Sequence, residues 1–239
     1  MSVVEADISR AFALECVGIF RHKSHFGKLI MKTVLSICVM LFAVTKCFAE
    51  KNAELPLVLA ERGKILFEDD FAAGKLSDDW SQIRGAWTIS DGVVVGKELK
   101  ADDHAAVFHC MKKNRNSIVR YSFKLDGAKE FHFSLNYQKG HLFRIVVNSD
   151  GLAVRTDGSK RDNSIKSEPI GKAHGRFEQG KWYTMQIEML GDKVAVSTDN
   201  GLKVEGQNSR LDTSKPHYRF ILKDEALVID DMKVWATKS

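Results

Sequence analysis

Residues 118–157, IVRYSFKLDGAKEFHFSLNYQKGHLFRIVVNSDGLAVRTD, alternate apolar and polar side chains with a period of two. Val119, Tyr121, Phe123 and Leu125 interleave with Arg120, Ser122 and Lys124, and Phe131, Phe133, Leu135 and Tyr137 with His132, Ser134 and Asn136. Successive side chains of a strand point to opposite faces, so the pattern specifies strands with one apolar and one wet face. Asp126-Gly127 and Asp150-Gly151 are dipeptides favoured by type I′ hairpins, whose central residues both need positive φ. Gln138-Lys139-Gly140 suits a slightly longer hairpin loop. The stretch reads as four antiparallel strands joined by three tight turns.

Similar strand and turn signals recur along the chain, at 65–71, 85–89, 93–96, 105–110, 182–190, 193–198, 202–205, 217–222 and 226–236. About a dozen short strands with close turn signals, and no stretch of helical period, predict an all-β fold, a two-sheet antiparallel jelly-roll sandwich. Residues 158–180 are irregular and rich in Ser, Lys, Asp, Gly and Glu. A loop of that length is expected to be a surface crossover and a rim of a binding face.

The first part of the chain reads differently. Met31-Lys32 precedes an apolar run over 33–44, and Cys47-Phe48-Ala49 fits a small-x-small cleavage site before Glu50. The run is shorter than the about 20 residues a membrane-spanning helix needs. Residues 31–49 are read as a secretory signal peptide and 1–30 as a mis-assigned start or a long n-region. Residues 50–63 are a lead-in and 64–237 the jelly-roll domain. The product is expected to be secreted or periplasmic, monomeric, and without stable membrane insertion after cleavage.

Without residues 1–49, Lys and Arg fall from 36 to 30 and Asp and Glu from 31 to 28. Near-neutral, interspersed charge argues against a nucleic-acid partner, which would call for a basic stripe. Cys110 is then left alone, so the fold stands on its core without disulfides, and a buried structural thiol is expected there.

Several segments together carry a resemblance. They are Phe67-Glu68-Asp69-Asp70-Phe71, Trp80, Gly85-Ala86-Trp87-Thr88-Ile89 and Asp91-Gly92-Val93-Val94-Val95-Gly96 at the start. Gly180-Lys181-Trp182-Tyr183 with Glu188 and Gly191-Asp192, and Ile229-Asp230-Asp231-Met232-Lys233-Val234-Trp235, complete the set. The chain resembles the concanavalin A-like lectin and glucanase jelly rolls, and within them the bacterial secreted 3-keto-disaccharide hydrolase-like domains. The resemblance implies a concave sheet face that binds sugars through polar side chains and stacking aromatic rings. It also suggests a glycoside-acting hydrolase or lyase.

On that reading the ligand is a carbohydrate, and the polar positions His132, Ser134, Asn136, Arg120 and Arg144 are the candidate binding residues. The E-x-D-x-x-E motif of laminarinase-type enzymes is absent from the sequence. Glu130 and Glu188 are catalytic candidates by elimination, and hydrolysis would need them to flank the bond at about 5–9 Å. Pairing of the first and last strands would bring Asp69 and Asp70 near Asp230 and Asp231. Asp70 and Asp230 are therefore candidates for a structural calcium, which takes carboxylate and carbonyl oxygens. No other cofactor is required. The expected function is carbohydrate binding, with a glycoside-acting enzyme or a protein-binding domain of the cell envelope as alternatives.

Overall fold

The structure is a computed structural model and describes residues 52–238. The expected leader, 31–49, and residues 1–30 lie outside the described residues. Along the described chain run β1 (Arg62–Asp69), β2 (Trp80–Arg84), β3 (Ala86–Ser90), β4 (Val93–Lys97) and β5 (Ala106–Cys110). They are followed by β6 (Ser117–Asp126), β7 (Glu130–Tyr137), β8 (Gly140–Asn148), β9 (Gly151–Thr156) and β10 (Glu168–His174). The last five are β11 (Trp182–Leu190), β12 (Lys193–Thr198), β13 (Lys203–Gln207), β14 (Tyr218–Leu222) and β15 (Ala226–Thr237). No helix among the described residues is long and apolar enough to cross a membrane.

The strands form two antiparallel sheets. Sheet A has eight strands in the order β13-β12-β11-β6-β15-β4-β3, with β1 also paired to β15. Sheet B has seven, in the order β10-β9-β8-β7-β14-β5-β2. The described chain is the jelly-roll sandwich expected from the alternation.

Aromatic rings fill the space between the sheets. Tyr121 on β6 stacks on Phe133 on β7 at 5.6 Å between centroids, and Phe123 meets Phe131 at 4.9 Å. Phe108 lies between Trp80 at 4.5 Å and Trp87 at 4.7 Å. Burying a large apolar side chain of this kind contributes roughly 1.5–3 kcal/mol. Gly96 makes room for one of them: a Cβ there would sit 2.1 Å from the Trp87 ring. Cys110 is fully buried, and burial pushes its thiol up to about 12.

The 118–157 stretch forms four strands, but its first turn is not a hairpin. β6 pairs with β11 and β15 in sheet A, whereas β7 pairs with β8 and β14 in sheet B. The Asp126-Gly127 corner carries the chain from one sheet to the other, with Gly127 at φ 102°. Two strands with apolar faces can lie side by side or fold face to face, and here Phe123 closes onto Phe131. At Asp91-Gly92, between β3 and β4, both residues do take positive φ, 52° and 72°, as a type I′ turn demands.

The lead-in is an integral part of the sandwich. Residues 52–60 lie across the outward face of sheet A. Asn52 N–H donates to Ser122 Oγ at 3.2 Å and Ala53 N–H to Thr184 Oγ1 at 3.0 Å. The Glu188 carboxylate accepts the N–H groups of Val58 and Leu59, and Gln186 Nε2 donates to the Pro56 carbonyl. Glu54 pairs with both Arg62 and Arg120, whose guanidinium groups lie 4.5 and 5.4 Å from the Trp235 ring centroid. The polar side of β6 and β11 is thus covered by the chain itself. The irregular segment 158–180 also holds more order than its composition suggests: it contains β10, the edge strand paired to β9.

Candidate binding site on the outward face of sheet B

The outward face of sheet B carries the polar residues of β7. With Phe131, Phe133 and Leu135 turned into the core, His132, Ser134 and Asn136 must point away from it. Strand register then sets their neighbours. His109 on β5 opposes Arg219 on β14, which opposes Ser134 on β7. Ser134 opposes Arg144 on β8, which opposes Arg155 on β9. One cross-strand row therefore holds three guanidinium groups. Ser134, the small residue between Arg219 and Arg144, is fully buried, and its hydroxyl has no hydrogen-bond partner.

The arginines are held by fixed partners. Arg144 donates to Asp157 Oδ2 through Nε and Nη2, at 3.1 and 3.0 Å, and Arg155 meets Asp157 Oδ1 at 3.0 Å. Arg144 Nη1 also donates to His132 Nδ1 at 3.1 Å, which leaves His132 Nε2–H to donate to Glu130 Oε1 at 2.6 Å. Burial holds the His132 pKa below its ordinary value, against the pull of Glu130.

Arg219 is arranged differently. Its Nε donates to His109 Nε2 at 3.2 Å, and Nη1 lies 2.7 Å from Asn136 Oδ1 and 3.0 Å from His141 Nδ1. All three groups are neutral, and His141 Nδ1 also lies 3.0 Å from Asn136 Oδ1. Arg219 is only 7% exposed, and burial, then repulsion from Arg144, pulls its pKa down to about 10. Behind it His109 stacks on His217 at 4.1 Å, and burial, His217 and Arg219 together hold His109 down to about 3.

These groups surround two adjoining hollows that share His141, Arg144 and Lys160. The first, about 450 Å³, is lined by His104, Ala105, Glu130, His132, His141, Arg144, Lys160, Arg219, Ile221 and Lys223. The second, about 500 Å³, adds Lys139, Arg155, Asp157, Ser159 and Arg161. Lys160 and Arg161 belong to the 158–180 segment, which here forms a wall of the cleft. No Trp, Tyr or Phe lines either hollow, so the stacking rings implied by the family resemblance are missing from this face.

The structure brings His132, Ser134, Asn136 and Arg144 together and separates Arg120 from them. Arg120 is on β6 in sheet A, 6% exposed beneath the 52–60 segment and paired with Glu54. Its alternation matches that of Arg144, but the two lie on opposite outer faces because β6 and β7 belong to different sheets. Glu130 and Glu188 are separated in the same way. Glu130 reaches the cleft, whereas Glu188 is buried on β11 in sheet A with its oxygens committed to Val58, Leu59 and Ala60. They cannot flank one bond. Asp70 Oδ1 accepts the Ala72 N–H, and Asp230 Oδ1 accepts the Asp231 N–H beside a bulge in β15. Among the described residues no group of three His, Cys, Asp or Glu is arranged to hold a metal ion.

No family model matches the sequence, and no curated protein matches it. Solved structures do match. The carbohydrate-binding module CBM66 from Bacillus subtilis superposes with a TM-score of 0.53 at 13% identity, covering 66% of this chain and 96% of that one. A Bacillus subtilis protein of unknown function with a galectin-like fold gives 0.56 at 14% identity, covering 76% and 100%. The laminarinase from Rhodothermus marinus gives 0.57 at 11% identity, covering 76% and 100%. The fold is the jelly-roll sandwich of these proteins. At these identities the likeness is one of fold, and the site must be judged on its own residues.

In this jelly roll Arg219, Asp157 and Lys223 join the face without being among the positions expected from the sequence. Arg219 had a legible signal: it is the polar interruption of Tyr218, Phe220 and Leu222 on a strand. Nothing local reveals that β14 lies beside β7. Chemically, the face offers positioned guanidinium and imidazole groups around two carboxylates, Glu130 and Asp157.

Proposed function

We propose that this chain is a carbohydrate-binding domain whose ligand lies in the cleft on the outward face of sheet B. One observation carries the reading: the outward face of sheet A is overlaid by residues 52–60, while that of sheet B carries a cleft of fixed polar side chains. His132, Asn136 and Arg144 are locked by hydrogen bonds to Glu130, Arg219 and Asp157. Donors ordered in advance lose little entropy when they bind sugar hydroxyls. The fold is shared with a carbohydrate-binding module and a laminarinase, which supports this class of ligand by analogy.

A glycan array with the purified protein tests the reading, with His132→Ala and Arg144→Ala as controls. Binding that survives in both variants would remove this site.

A glycoside-acting enzyme of the 3-keto-disaccharide hydrolase type is the second reading. Glu130 and Asp157 both reach the cleft, joined through His132 and Arg144, so the Glu130 carboxylate, backed by His132, is available for proton transfer. Turnover assays on the array hits separate the two, since release of reducing sugar that is lost in Glu130→Gln would favour the enzyme. Export through residues 31–49 belongs to the same proposal, and N-terminal sequencing of the secreted product checks it. The calcium proposed at Asp70 and Asp230 is a separate question, answered by melting with and without a chelator.

A further inference from the structure

Arg219 is a buried cation whose direct hydrogen-bond partners are neutral, with Asp157 acting on it only at a distance. Asp157 serves Arg144 and Arg155, and no carboxylate forms an ion pair with Arg219 among the described residues. Its Nη2 makes no hydrogen bond within the described residues, although Nε and Nη1 are both engaged. A buried charge without a counter-charge is costly. Like charges near one another in a row add to that cost: Arg144 lies directly opposite Arg155, and Arg219 follows in the same row with only the small Ser134 between it and Arg144. The burden is compensated if an anion enters the cleft.

The rest of the lining points the same way. The first hollow sets Arg144, Lys160, Arg219 and Lys223 against Glu130 alone, and the second sets Lys139, Arg155 and Arg161 against Asp157. Its apolar side chains are Ala105 and Ile221, so a sugar ring would find no aromatic platform. Recognition here must rest on charge and directed hydrogen bonds. A guanidinium N–H makes a strong, charge-assisted hydrogen bond to a carboxylate or sulfate oxygen.

We infer that the cleft takes an anionic sugar, one bearing a carboxylate or a sulfate ester, with the anion held by the unengaged Nη2 of Arg219 and backed by Lys160 and Lys223. This rests on the carbohydrate reading above and adds the class of ligand. Asn136, His141 and His109 hold Arg219 in position, and the ring hydroxyls of the sugar would lie toward His132 and Glu130.

Calorimetric titration of the purified protein provides the test, with polygalacturonate as the carboxylate, κ-carrageenan as the sulfate, and laminarin and dextran as neutral controls. Binding to one of the two anionic polymers is expected, stronger than to either control, and which of the two binds identifies the acid group. Binding should be lost when the galacturonate is methyl-esterified or the carrageenan desulfated. It should weaken about 10-fold in Arg219→Gln and with rising salt. Lys160 and Lys223 are exposed, so the double variant Lys160→Gln/Lys223→Gln keeps the test open if Arg219→Gln fails to fold, and it should weaken binding several-fold. Equal, salt-independent binding of laminarin or dextran, unchanged in the lysine variant, would overturn the anionic assignment and leave carbohydrate binding standing. Absence of binding to all four polymers, with an empty glycan array, would overturn both.

Discussion

Both carboxylate oxygens of Glu188 accept the backbone N–H of Val58, at 2.9 and 3.0 Å, although 130 residues separate the two in the chain. Oε2 also takes the Leu59 N–H at 2.7 Å and the Ala60 N–H at 3.3 Å. One buried side chain thus gathers three successive amides of the 52–60 segment onto sheet A. Glu188→Ala should lower stability by about 2–4 kcal/mol, since it strands several buried donors. The specific readout is hydrogen exchange: the Val58 and Leu59 amides should lose protection before the β6 amides do. Unchanged exchange at those two amides would dismiss the clamp.

A Cβ added to Gly96 would lie 2.1 Å from the Trp87 indole, closer than any Cβ tolerates. The ring is stacked on Phe108 and cannot move without disturbing the core. Gly96→Ala should cost about 1–3 kcal/mol, as overpacking does. A thermal midpoint equal to the wild type would show that the ring yields freely.

Lys215 is fully buried and donates to three carbonyls, Arg115 and Leu211 at 2.8 Å and Thr213 at 2.9 Å. It ties the loop between β13 and β14 to the one between β5 and β6. Lys215→Met keeps the stem and removes the donors, and should destabilise by roughly 3 kcal/mol. Denaturant unfolding measures this, and glycan affinity in the folded fraction should be unaffected.

His109, His132, His141 and His217 all have pKa values below the ordinary histidine value, burial being the first cause in each case. Between the unfolded value of about 6.5 and the lower folded values, the unfolded chain binds more protons. Stability is therefore complete above about pH 6.5 and falls as the pH is lowered through that window, down to about 3 for His109. Carboxylates also titrate below about pH 5, so the histidine contribution is read between about 5 and 6.5. Urea midpoints should fall across that interval, and His109→Gln should flatten the slope. An identical slope in the variant would remove His109 from the account.

The strands and their inward residues were legible because each follows from local rules. Phe131, Phe133, Ile145 and Tyr121 could be assigned to the core from alternation alone, and the structure buries all four. The candidate site was legible in part. His132, Asn136 and Arg144 share a face because β7 and β8 are joined by a short loop, and a hairpin sets their register. Arg219 comes from a strand more than seventy residues farther along, and its place beside Ser134 has no local signal.

The sequence by itself determined which residues form strands, where many of the turns fall, and which side of each strand seeks the core. Periodicity and turn chemistry act over a few residues, so they can be read along the chain. Only the tertiary structure decided which sheet each strand enters. Backbone hydrogen bonds between strands carry little side-chain preference, and Asp126-Gly127 could have closed a hairpin as well as a crossing. That one choice sends Arg120 beneath the 52–60 segment, and it sets Arg144 beside Ser134 and Arg219 in an open cleft.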